Sequence, residues 1–194
     1  MIKILAILPI LMLSSCAYQM GYGYKELPRG VKNLYIPIFK NDTLEVGPEV
    51  DFTSQLVREV KRANVAKILS KDLADGILEG RIIRITRHQQ APEENKRDGE
   101  KKTTGLVNLP EGTYVATQYL LKIKVGLKLK RKSTNQTVWT QEFEDQTVYS
   151  AARLALPVIN TSTPNYTESE EERVIKNLAG VMMQEAVGRL TENF

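Results

Sequence analysis

In the stretch "YLLKIKVGLKLKRK" aliphatic and polar side chains alternate without a break: Leu121, Ile123, Val125, Leu127 and Leu129 interleave with Lys122, Lys124, Gly126, Lys128 and Lys130. A period of two places one set on each face of a β-strand, so the aliphatic row predicts a core face and the lysines a common outer face. Turn-forming residues follow at 133–137, and "VWTQEFEDQTVYS" returns as a further strand. A three-residue loop at 134–136 would set Lys128 opposite Glu142 and Leu127 opposite Phe143, matching charge with charge and core with core. Upstream, "ADGILEGRIIRITRH" (74–88) alternates imperfectly, which suggests a bulge near Gly80. "VKNLYIPIF" (31–39) is a β-prone run in which Pro37 marks a sheet edge or a bulge.

Two segments carry the helical period instead. After Pro48, a residue suited to a first helical position, Phe52, Leu56, Val60 and Ala63 form one stripe. Near the C-terminus Thr167 and Glu170 have capping-box spacing, and Val174, Leu178, Val181, Met182, Ala186 and Leu190 form a second stripe. Each helix has one apolar side, so both should cover the same face of the sheet. The order β-α-β-β-β-α predicts an α+β, two-layer sandwich: a four-stranded mixed sheet with two amphipathic helices on one face. Residues 89–113 balance four acids against four bases and contain turn formers, so they are expected to form a mobile loop.

The first residues are of another kind. Met1-Ile2-Lys3 is followed by an apolar run from Ile4 to Leu13, too short to span a bilayer as a helix, which takes roughly 20 residues. The run ends in Leu13-Ser14-Ser15-Cys16, with the form of a bacterial lipobox, and Cys16 is the chain's single cysteine. A lone thiol cannot form an internal disulfide. The expectation is a leader at 1–15, lipidation at Cys16, and a Gly- and Tyr-rich tether over 16–30. One domain would then occupy 31–194. Ala17 stands where a lipoprotein kept at the inner membrane usually carries Asp, which favours the outer membrane.

Composition changes this picture little. With 42% hydrophobic and 26% charged residues the chain is of ordinary globular make-up, and a formal charge of +4 does not by itself point to nucleic acid. No metal, nucleotide or nucleophile motif occurs, and the single histidine, His88, has no cysteine or paired carboxylate beside it in sequence. No catalytic residue, metal or cofactor is expected. The lysine row has two readings: a surface for an anionic amphiphile, or a solvated face that keeps a strand from aggregating.

Several stretches taken together resemble the LptE family of lipopolysaccharide-assembly lipoproteins. They are Cys16 with the nearby "GYGY", then "LPRGVKNLYIPIFKNDTLEVGPEVDFTSQLVREVKR", "LADGILEGRI", "QYLLKIKVGLKLK" and the final amphipathic helix. The resemblance implies a two-helix, four-stranded fold, lipid-anchored to the periplasmic side of the outer membrane. It implies a non-covalent partner, the β-barrel LptD, in which the family's member sits as a plug while lipopolysaccharide passes to the cell surface. One of the family's basic lipid contacts has its nearest match in Arg153 of "SAARLAL"; where another would precede the third strand, this chain reads "VNLPEGTY" with no basic residue. Lys122, Lys124, Lys128, Lys130 and Arg153 are therefore the candidate lipopolysaccharide contacts. The alternative is a periplasmic lipoprotein that serves another envelope machine as an assembly factor or protein-binding module, with no lipid role.

Overall fold

A computed structural model describes residues 27–94, 114–150 and 164–192. Its elements are β1 (Asn33–Tyr35), β2 (Lys40–Asn41), α1 (Pro48–Ala63), β3 (Lys67–Ile68), β4 (Gly76–Glu94), β5 (Tyr114–Arg131), β6 (Thr137–Ser150) and α2 (Pro164–Glu192). The sheet runs β3-β1-β4-β5-β6, with β2 also on β4. Pairing is parallel among β1, β2, β3 and β4, and antiparallel from β4 through β5 to β6. The mixed sheet and two helices expected from sequence are present. Of the strand expected over 31–39 only β1 forms; the chain leaves the ladder after Tyr35, around Pro37, which has no N–H to give, and β2 lies just past the expected run. The two-residue β3 at the edge is an addition. Past His88 the ladder of β4 with β5 continues to Glu93↔Val115 and Glu94↔Tyr114, so residues 89–94, expected to begin the loop, are strand. The rest of that loop lies outside the described residues.

All five aliphatics of the β5 row are buried, each at 2% exposure or less, beneath both helices. α1 contributes Phe52, Leu56 and Val60 to this core, while Ala63 of the expected stripe is exposed. On α2 the buried set is Ile175, Leu178, Ala179, Met182, Met183, Ala186, Val187 and Leu190. That stripe is rotated slightly from the one expected: Val174 is only half-buried, and Val181 is 59% exposed. α2 also starts earlier than its capping-box spacing suggested. Pro164 occupies the opening turn, so Thr167 is inside the helix and Glu170 pairs with Arg173 instead of returning to a cap.

Two offsets in the ladders set which side chains face the helices. The first is a bulge between Ile82 and Arg84, three residues beyond Gly80. Before it, Leu78 and Ile82 point inward; after it, Ile85 and Arg87 stand opposite the core residues Ile123 and Leu121. The second lies in the β5–β6 hairpin. Its loop is 132–135, closed by Arg131 N–H donating to the Gln136 carbonyl at 2.9 Å, with Asn135 at φ 53°. A loop of that length shifts the expected register by an odd number and would turn β6 over. A further offset between Leu129 and Lys130 restores parity. The net result is a slip of two: Lys128 faces Thr140, Leu127 faces Gln141, and Phe143 faces Val125. Trp139, Phe143 and Tyr149 still reach the core.

Gly80 answers a packing demand, not a bend. A Cβ there would lie 2.3 Å from the Phe39 ring, which covers the strand and meets Phe52 with centroids 5.8 Å apart. Gly188 on α2 is the opposite case, with nothing within 4 Å of an added Cβ. Gly80→Ala is expected to destabilise by about 1–3 kcal/mol through overpacking. Gly188→Ala should stabilise by about 0.4–1 kcal/mol by restricting the unfolded chain. Denaturant unfolding of the two variants tests both signs, and equal shifts would contradict the close approach at Gly80.

Candidate functional site: the outer sheet face and the Arg87 clip

The outer face of the sheet is built by β5 with its neighbours. Lys122, Lys124, Lys128 and Lys130 all lie on it, as the period of two requires. Three of the four are matched by carboxylates. Lys122 pairs with Glu144, Lys124 Nζ lies 2.6 Å from Glu142 Oε2, and Lys130 Nζ lies 2.8 Å from Glu79 Oε2. Each partner is diagonal to its lysine across the ladder, within reach of a long side chain. Hydrogen bonding from Lys122, helped by the nearby charges of Lys124 and Arg84, holds the Glu144 carboxyl below its usual range. Exposed pairs of this kind contribute little to stability, but they do neutralise the face.

Two cations remain outside these pairs. Lys128 is exposed, and among the described residues it forms no ion pair. Arg84, directly opposite Lys124, is likewise exposed and free of an ion pair among the described residues. Arg84 was not among the sequence candidates, because the interruption on β4 was expected near Gly80 and not between Ile82 and Arg84; the Ile82–Ile83 doublet was the available signal. Cys16 and Arg153 lie outside the described residues.

The same bulge sends Arg87 to the helix side, where a charged cluster forms. Arg87 Nη2 lies 2.8 Å from Glu45 Oε2, in the connection before α1, and its guanidinium also pairs with Glu171 of α2. Tyr149 on β6 donates its hydroxyl to Glu171 Oε2 at 3.0 Å, and its ring stacks on Tyr119 with centroids 5.5 Å apart. Four segments are thus clipped together through one arginine. Hydrogen bonding from Arg87 lowers the Glu45 carboxyl, while both carboxylates raise Arg87 itself. Burial, then the charge of Glu171, pushes the Tyr149 hydroxyl well above its ordinary value. The cluster fastens the fold and is not arranged to bind an anion, because its one cation already has two carboxylates. Among the described residues no three His, Cys, Asp or Glu side chains are placed to hold a metal. No helix among them is long and apolar enough to cross a membrane.

Two amphipathic helices on one face of a mixed sheet, with a charged outer face, define a small α+β module whose distinctive surface is a sheet, not a cleft. Residues 31–190 match the LptE family, described as Lipopolysaccharide-assembly, and the chain belongs to that family. A search of curated proteins found no match. Among solved structures, a minor lipoprotein from Acinetobacter baumannii is similar at 12% identity and TM-score 0.46, covering 84% of this chain and 92% of that one. The rare lipoprotein B from Shewanella oneidensis is similar at 12% identity and TM-score 0.42, with 82% and 90% covered. Lipoprotein B from Nitrosomonas europaea is similar at 15% identity and TM-score 0.43, with 90% and 87% covered. Similarity this low says nothing about what the chain does.

The clip gives a pH prediction. Because Glu45 is lowered in the folded state, its contribution is present above its unfolded value, near 4.5, and is lost as pH falls through the lower folded value. Arg87→Met should cost about 1–2 kcal/mol at pH 7, since it leaves the poorly exposed Glu171 without its cation. The gap between wild type and variant should narrow as the medium is acidified below pH 4.5. Urea unfolding at neutral and acid pH measures both; a gap that widens in acid would mean that the clip does not hold through ionised carboxylates.

Proposed function

We propose that this chain is an outer-membrane lipoprotein of lipopolysaccharide assembly, anchored through acylated Cys16 and working in complex with an LptD-like β-barrel. The observation that carries the reading is the family match over 31–190, which takes in the sheet and both helices. Direct contact with lipopolysaccharide would fall on the outer sheet face, where Lys128 and Arg84 offer unmatched positive charge to phosphate. Arg153 remains a candidate from the resemblance. No catalytic step is assigned to the chain, and no cofactor.

The pairing of Lys122, Lys124 and Lys130 favours a second reading at the level of the site. A face whose lysines are largely matched by glutamates suits protein contact as well as lipid contact. On that reading the chain acts as an assembly factor for an envelope machine and binds no lipid. Lipopolysaccharide binding by the purified domain, with identification of the barrel that co-purifies from envelope extract, separates the two.

The register makes Lys128→Gln the cleanest charge probe, since Lys124→Glu would strand Glu142 beside a like charge and Lys128→Glu would set a carboxylate directly opposite Glu79. Lys128→Gln combined with Arg84→Gln should weaken lipopolysaccharide binding, most at low salt where charge attraction is least screened. Circular dichroism should be unchanged, both positions being exposed. Equal affinity for wild type and variant at low salt would remove the sheet face from the lipid pathway. Separately, Cys16→Ser should release the protein from the membrane fraction or leave its leader uncut. Normal fractionation of that variant, with the usual lipid mass still attached, would defeat the anchor.

A further inference from the structure

The connection from β2 to α1 exposes aliphatic side chains that the fold has no use for. Leu44 is 99% exposed and Val46 94%, with Val50 on the first turn of α1 at 59%. Single exposed aliphatics are ordinary, but two almost wholly in solvent within three residues are not. The connection holding them is built, not slack. The Asn41 side chain is its hub: Nδ2 donates to the Glu45 carbonyl and, at 2.8 Å, to Glu49 Oε2. Its Oδ1 accepts from both the N–H and the hydroxyl of Thr43, at 3.0 and 2.7 Å. Glu49 Oε2 also accepts the Gly47 N–H at 3.2 Å, and the Asp42 N–H is bound to the Ile82 carbonyl at 3.0 Å. Between Leu44 and Val46, Glu45 turns away to Arg87. The tip therefore presents two aliphatics with the intervening charge withdrawn, and little ordering is left for a binding event to impose.

The surroundings specify the occupant. Val46 and Val50 share the wall of a groove of about 1040 Å³ with Asp51, Glu168 and Glu172. Those three carboxylates form no ion pair among the described residues, and of the groove's cations Arg87 and Arg173 are committed to glutamates, leaving Lys176. An apolar tip beside surplus negative charge repels lipid phosphates and suits a partner with cationic surroundings. We propose that the Leu44–Val46 tip is a docking site for a protein partner, entering an aliphatic pocket framed by lysine or arginine. This inference rests on the proposed function for its protein partner and assigns that partner a surface, but it is independent of whether lipid binds the sheet.

The test places a photo-crosslinking amino acid at position 44 of the full-length protein in its own cells, with position 73 as an exposed control, Leu73 being 67% exposed. The expected result is one discrete protein adduct at 44 and not at 73. Mass spectrometry should map it to a segment in which aliphatic residues are flanked by lysine or arginine. Its yield should fall about tenfold with Val46→Asp, the loss expected when a buried aliphatic contact is replaced by a charge. It should also fall with Asp51→Lys combined with Glu172→Lys, through charge repulsion. Thermal melts serve as folding controls, since the replaced side chains are largely in solvent. Lipopolysaccharide or phospholipid adducts, the same adducts at 44 and 73, no adduct, or a yield indifferent to both variants would each overturn the proposal. Lipopolysaccharide binding by the Val46→Asp protein should remain at the wild-type level, so failure of the lipid reading is seen separately.

Discussion

One row of aliphatic side chains, Leu121 to Leu129 on β5, fixes the arrangement of everything packed around it. It lies at the centre of the antiparallel ladder, with β4 on one side and β6 on the other, and the apolar stripes of both helices join it in one core. Burying that row is the main favourable term available to a chain whose helices each have one apolar side. It has an unavoidable corollary. With a period of two, the lysines between those aliphatics must all emerge on the opposite face.

The outer face shows how the charge so produced is managed. β6 and β4 place Glu144, Glu142 and Glu79 diagonally to three of the lysines, which limits self-repulsion along the row. Positive charge without an ion pair among the described residues remains at Lys128 and Arg84. A lysine count from sequence therefore overstates the attraction that this face offers to an anion. The positive charge unpaired among the described residues covers less of the face than the lysine row does and extends onto β4 at Arg84.

Arg87 carries the opposite lesson. An arginine on the helix side of a sheet needs carboxylates beside it, because burying a guanidinium even in part is costly without partners. Glu45 and Glu171 supply them from segments far apart in sequence, and in doing so tie the connection before α1 to the start of α2. The clip also withdraws the one charge that would otherwise interrupt the apolar tip at Leu44 and Val46. Stability of the fold and presentation of that tip are thus served by the same interaction.

Periodicity alone determined the class of fold, the two helices, the core face of β5 and the side on which its lysines emerge. It also marked Pro37 as an irregular position, since a missing N–H is a local property, but not that the strand would stop there. The family was legible too, because it rests on stretches of residues and not on contacts. Tertiary structure alone decided the partners: the two-residue slip of β6, the bulge after Ile82, the pairing of Arg87 with Glu45 and Glu171, the close approach of Phe39 to Gly80 and the exposure of Val181. The division has a physical cause. Which face a side chain takes follows from local backbone geometry, which repeats along the chain. What it meets there depends on loop lengths and bulges summed across strands, where one residue more or less reverses a face and two restore the face but change every neighbour.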